Sequence, residues 1–319
     1  MDMMWPRRKF LATSLMASPL AGFTRSLRAQ TTGSGPFKLG IITDEITDDF
    51  AQALNFISSY SLHYCELRDL WSKNIMDLDR ADLQRAKSLI QQHHLTVSDI
   101  GSPIFKYNLP EMPARPETAG EGFHAHYTDK DSGRLLKKSF EIAHFFGTQK
   151  VRVFSYWRVS QPEKAWPYVR DRLNMAADLA GRNGILLILE NEMDCNVGTG
   201  QELGRALKEI NSSHLRGNWD PGNAAMLNEI PYPNGYEAVR GWFAHMHIKD
   251  VKRLANGKLA WAPVGGGFID WKGQFEALVR DHYNNTMSLE THYRRPDGNK
   301  VESTRESLLG LLKIIHQVS

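Results

Sequence analysis

The chain has 319 residues, 41% hydrophobic and 24% charged, with a formal net charge of +3. These are ordinary globular values with ample material for a large core. Beyond the first thirty residues no apolar run is long enough to span a bilayer, which excludes a stable membrane anchor there. Residues 1–29 set Arg7, Arg8, Lys9, Arg25 and Arg28 against Asp2, a net +4, so the remainder is near −1 and offers no basic surface for nucleic acid.

The opening stretch WPRRKFLATSLMASPLAGFTRSLRAQ reads as a cleavable signal peptide over residues 1–29. It has a basic start, an apolar run from Phe10 to Phe23 and a small-residue exit near Ala29. RRKFL resembles a twin-arginine signal, so the expected destination is the bacterial periplasm, reached in folded form. Residues 30–36 are a short polar linker, and the folded domain is expected over 37–319. Cys65 and Cys195 lie far apart in no metal-type spacing and are expected as free, buried thiols.

From residue 37 onward, strand-like and helix-like segments alternate. The predicted strands are Phe37–Thr43, Leu62–Leu67, Thr96–Gly101, Lys150–Phe154, Ile185–Glu190, Leu215–Asp220, Ala244–Lys249 and Thr286–Glu290. They are short and rich in Ile, Val and Leu, as strands buried on both faces should be. Amphipathic stretches lie between them; DRADLQRAKSLIQQHH and RDRLNMAADLAGRNG are clear helices, the second stopped by Gly184. TRESLLGLLKIIHQV closes the chain. Eight such units predict an α/β fold, a single-domain (β/α)8 TIM barrel. The glycine-rich fingerprint of a doubly wound sheet is absent. The connection from Ser102 to Arg134, rich in Pro and Gly, is either a lid over the site or a surface excursion.

In such a barrel the C-terminal ends of the strands converge on the active site. Strand five ends LILENE with Glu190, strand six GNWDPGNA with Asp220, and strand eight SLETHY with Glu290; strand seven carries His247 in HMHIKDVKR. Each alone is weak: a strand-end carboxylate is usually solvated, and a lone histidine is usually a satisfied core residue. Together they would bring three carboxylates to one rim, and these would not all stay ionised without a cation between them. Three carboxylate oxygens and an imidazole suit one divalent ion, Mn²⁺, Mg²⁺, Co²⁺ or Zn²⁺. Lys249 shares strand parity with His247 and is expected to face the same pocket.

LEN at 189–191, WDPGN at 219–223, HIKD at 247–250 and LET at 289–291, with KLGIITDEI and YCELRDLW at the first two strands, resemble the xylose isomerase-like TIM barrel superfamily. The resemblance covers roughly residues 37 to 316 of the chain, in the group of sugar phosphate isomerases and epimerases. It implies Glu190, Asp220, His247 and Glu290 as metal ligands, with Glu190 and Glu290 doubling as acid and base. It implies Arg253 as a contact to substrate oxygen; a solvated loop arginine is the plain alternative. Asn223 stands where the related epimerases carry a substrate-binding histidine, which leaves the substrate pose open. His245, deeper in the barrel, would sit behind the ligands or in the core. The superfamily also holds a trinuclear DNA-repair endonuclease, but Asn223, Leu259 and Trp261 occupy positions of its extra ligands, so that site cannot form.

The resemblance implies proton transfer next to a carbonyl through an enediolate, hence a metal-dependent sugar isomerase or epimerase with a small-molecule carbohydrate partner. An exported 3-keto-glycoside lyase, working by β-elimination from the same site, is the alternative. A non-catalytic sugar-binding barrel is the second. Trp71, Trp157 and Trp261 could stack on sugar rings under any of these or simply fill core. A homo-oligomer is compatible with the sequence.

Overall fold

A computed structural model describes residues 34–115 and 125–318. The predicted signal peptide, the start of the linker and residues 116–124 lie outside the described residues. Within them, eight parallel strands close a barrel in sequential order. They are β1 Lys38–Ile42, β2 Tyr64–Leu67, β3 Thr96–Ile100, β4 Lys150–Val153, β5 Leu186–Glu190, β6 Leu215–Trp219, β7 Phe243–Ile248 and β8 Thr286–Leu289. Every predicted strand is present, each end within two residues of its expected place. β1 pairs with both β2 and β8, which removes the open edges.

The α-helices longer than four residues are α1 Phe50–Ser59, α2 Arg80–Gln92, α3 Ser132–Phe146, α4 Pro162–Arg182, α5 Gly200–Ile210, α6 Pro221–Met226, α7 Trp271–Arg280 and α8 Lys300–Val318. Local chemistry sets their ends. Asp49 and Asp79 accept from Gln52 N and Asp82 N at the starts of α1 and α2, and Thr199 with Glu202 forms a capping box on α5. α4 begins eight residues before the stretch read from its amphipathic pattern, with Pro162 at its first turn and Pro167 inside it.

The barrel interior departs from the branched aliphatic filling usual for this architecture. Glu66, Asp99, Arg152, Asn218, His245, His247 and Ser288 are all fully buried within it. Such groups are tolerated only when paired, and their pairings run upward to the rim. Both cysteines are buried and free.

Two features beyond the barrel shape the rim. Residues 250–253 and 259–262 form an antiparallel hairpin after β7, which the sequence reading did not include. Asp250 organises the loop that follows, accepting from the backbone N–H groups of Val251, Gly265, Gly267 and Ile269. A Cβ on Gly267 would fall 2.0 Å from Asp250 Oδ1, so the VGGG turn fits only glycine there. After β3, residues 104–107 of the long connection are buried and packed on the chain after β4. Backbone N–H groups of Phe154, Tyr156 and Trp157 donate to Ile104, Phe105 and Tyr107, and Lys106 is buried against Glu192 at 3.0 Å.

Candidate metal centre

Glu190 ends β5, Asp220 follows β6, His247 lies on β7 and Glu290 follows β8. Parallel strands of a closed barrel bring these positions to one height, and one donor atom from each lies within 4.8 Å of the others. None of the four is more than 2% exposed. His247 Nδ1 stands 3.2 Å from Glu290 Oε2, 3.3 Å from Glu190 Oε1 and 3.7 Å from Asp220 Oδ2.

The WDPGN sequence explains the placement of Asp220. Its Oδ1 caps α6 by accepting from Asn223 N at 2.8 Å, which turns Oδ2 into the site. Pro221 supplies the first helical position. Asn191 locks the same turn, donating to Asp220 O and accepting from Asp220 N, each at 2.8 Å. The Asn223 amide donates to Glu190 Oε1 at 3.3 Å and to Asn191 O at 2.9 Å, so it faces the cluster.

Lys249 also reaches it, with Nζ 2.6 Å from Glu290 Oε2 and 2.9 Å from Asp220 Oδ2. Gly222 makes room for this side chain: a Cβ there would fall 2.4 Å from Lys249 Cγ. Arg253 does not join the cluster. It sits on the hairpin, exposed, and donates to Gly257 O. Trp261 lies beside the site, its ring 5.2 Å from Lys249 Nζ and 4.9 Å from His292. Trp157 lies 5.6 Å from Lys106 Nζ, whereas Trp71 packs on Phe50 and under Arg85.

Several residues of the site carried no sequence-level assignment. Arg68 Nη1 donates to Glu290 Oε1 at 2.8 Å. Arg152 Nη1 lies 3.3 Å from Glu190 Oε2. His292 Nε2 lies 3.2 Å from Glu290 Oε1. Beneath them, Glu66 Oε2 lies 3.1 Å from His247 Nε2. His245 sits deeper, as expected, against Thr286, Ser288, Glu66 and Asp99. A signal was available for Arg152, a charged residue in the middle of an apolar strand; Glu66 and Arg68 gain meaning only from distant partners.

These contacts set the charge states. Burial works against a charged Glu290, but Lys249, His292 and His247 outweigh it and hold the carboxyl well below its usual range. Burial also opposes a charged His247, yet Glu66, Glu190 and Glu290 together raise it well above the ordinary histidine range. Lys249 is likewise raised despite burial, by Asp220 and Glu290. The site is thus built to hold positive charge among its carboxylates. His247 Nδ1 is buried with no hydrogen-bond partner of its own. Three carboxylates and an imidazole are the donor set of a hard divalent cation, and the residues fit that group.

A family model described as a xylose isomerase-like TIM barrel matches residues 54–314. Inosose dehydratase of Geobacillus thermodenitrificans is 24% identical over 207 residues, which is 60% of this chain and 68% of that protein. Among solved structures, the IOLI protein with a bound zinc atom superposes with a TM-score of 0.67 at 17% identity, over 89% of this chain and 99% of its own. The apo form of 3-keto-D-glucoside 4-epimerase from E. coli gives a TM-score of 0.60 at 16% identity, over 87% of this chain and 99% of its own. At these identities the structural likeness is one of fold.

Proposed function

The chain belongs to the xylose isomerase-like TIM barrel family, and on that footing we propose that it is a divalent-metal-dependent isomerase or epimerase that moves a proton beside the carbonyl of a sugar or sugar-derived ketone. The observation that carries this reading is the convergence of Glu190, Asp220, His247 and Glu290, buried and within 4.8 Å of one another. These four residues would hold the ion. When bound, the ion supplies Lewis-acid charge beside the substrate's oxygen atoms.

The chain's own residues do the rest. Glu290 is kept ionised by its neighbours, so it enters the reaction as a proton acceptor. Arg68 on Oε1 leaves Oε2 as its inward oxygen. Glu190, held by Arg152 and Asn223 across the cluster, is the second carboxylate; carrying a proton of its own, it would deliver that proton to the substrate carbon while Glu290 keeps the one it took. Lys249 offers a charged donor to substrate oxygen, and Trp261 a flat wall beside it. Return of the proton on the opposite face gives an epimer, and return to the neighbouring carbon an isomer.

Elimination is the second reading. The dehydratase among the relatives supports it, as does Lys249, a protonated group placed to assist a departing oxygen. Both readings share the first proton abstraction. The test is to offer Mn²⁺-loaded protein ketohexoses and 3-keto-glucosides in D₂O and follow the products by NMR. Deuterium at a sugar carbon of a rearranged sugar supports the isomerase or epimerase. An unsaturated keto-sugar with loss of its substituent transfers the case to elimination. No exchange with any of them overturns both.

We also propose that the setting is the periplasm, on the strength of the Arg7–Arg8 pattern. A reporter fused behind residues 1–29 should be exported, and Arg7→Lys with Arg8→Lys should block it; export unaffected by both changes would count against the twin-arginine route.

A further inference from the structure

We infer that Glu66, on β2, is a positioning residue that fixes the tautomer of His247 and so presents Nδ1 to the cation; the inference rests on the metal reading above. In the sealed barrel interior every donor needs an acceptor. Glu66 Oε2 lies 3.1 Å from His247 Nε2 and 3.3 Å from His245 Nε2. An ionised carboxylate only accepts, so both imidazoles must carry hydrogen on Nε2. For His245 this agrees with its other side: Lys150 Nζ donates to Thr286 Oγ1 at 3.0 Å, and Thr286 in turn donates to His245 Nδ1 at 2.8 Å. The chain of donors therefore runs in one direction, from Lys150 through Thr286 and His245 to Glu66.

For the neutral His247 ring, the form that can bind an ion, the same count leaves Nδ1 with the lone pair, and Nδ1 is the atom facing Glu190, Asp220 and Glu290. Asn218 agrees. Its amide lies 3.1 Å from His247 Nε2, and its Oδ1 is buried without a partner. Turning the amide about its terminal bond, a choice the heavy atoms do not distinguish, gives Nε2–H a second acceptor and satisfies that oxygen. Glu66 is fully buried, and its other oxygen, Oε1, lies 3.6 Å from Arg152 Nη1. It touches the ligand and none of the reacting atoms. A carboxylate behind a ligating histidine fixes the ring and raises its basicity, and losing one costs about 10–100-fold in metal affinity.

The test compares Glu66→Gln and Glu66→Leu with the unaltered protein. Each is stripped of metal, checked for an unchanged melting temperature, titrated with Mn²⁺ by calorimetry and loaded with Co²⁺ for its visible spectrum. The amide of Gln keeps an acceptor for Nε2–H without the charge, and Leu removes it. The expected order of affinity is Glu, then Gln weaker by about tenfold, then Leu by about 100-fold, with a shifted Co²⁺ spectrum in the Leu variant. Variants that both bind Mn²⁺ within twofold of the unaltered protein, with its spectrum, overturn the inference. Should the Leu protein not fold, Gln decides alone by the same criterion. Unaltered protein that binds no Mn²⁺ overturns the metal reading itself and the role of Glu66 with it, an outcome distinct from normal binding that ignores Glu66.

Discussion

Arg68 donates from Nη1 to Oε1 of Glu290 at 2.8 Å, while its Nη2 reaches Asp44 and Glu45 at 2.6 Å each. One guanidinium at the end of β2 thus ties Asp44 and Glu45, which follow β1, to Glu290, which follows β8. Burial penalises the charge on Arg68, but Asp44, Glu45 and Glu290 outweigh it. Removing it takes a charge partner from the buried carboxylates of Glu45 and Glu290 and from the half-buried Asp44. Arg68→Met is expected to cost about 3–5 kcal/mol of stability, as broken buried pairs do. It should also lower kcat/KM by at least about 100-fold, comparable to losing a preorganised electrostatic group. Denaturant titration and steady-state kinetics check the two halves separately.

Metal binding should depend on pH through His247. Its folded-state pKa lies well above the ordinary value, so at neutral pH the metal-free ring is still charged, with a proton on the Nδ1 that the ion needs. Binding at pH 7 should therefore release about one proton per ion, and affinity should fall about tenfold per pH unit downward. The dependence should level off above the raised pKa, where no proton remains to displace. Calorimetry in buffers of different ionisation enthalpy counts the protons.

Gly222 and Lys249 should behave as a coupled pair. Gly222→Ala places a methyl group 2.4 Å from Lys249 Cγ, an overlap expected to cost about 1–3 kcal/mol. In a Lys249→Ala background the same change should cost less than about 0.5 kcal/mol, because the atom it meets is gone. Unfolding curves of the four proteins give the coupling; an equal cost in both backgrounds would show that Lys249 does not depend on the gap.

Arg253→Ala should leave kcat/KM within about twofold, as expected of an exposed side chain away from the site. Its guanidinium is engaged with Gly257 O on the hairpin. A large rise in KM would instead show that the hairpin carries Arg253 to the substrate.

The barrel was legible because strands buried on both faces are short apolar runs, and such runs stand out between amphipathic helices. Glu190, Asp220, His247 and Glu290 were legible for the same reason: a polar side chain at the end of an apolar run has few other places to go. What surrounds them was not. Arg68 and Glu66 flank Leu67 on β2, yet their partners lie 222 and 181 residues further along the chain. Lys249 could be placed by strand parity. Two residues earlier in each case, the same parity puts His245 and His247 on one face with their edges meeting at Glu66. Arg253, which the resemblance implies as a substrate contact, stands on the hairpin that the chain enters at Asp250. Asp250 itself serves the VGGG loop, so the last residue of HIKD is architectural.

Calorimetric titration of metal-free protein with Mn²⁺, beside Asp220→Asn and His247→Ala, decides whether these residues hold a cation. One saturable site per chain is expected, weakened at least about 100-fold in each variant, since each loses a ligand atom. No saturable binding to the unaltered protein, or full affinity in both variants, would contradict it.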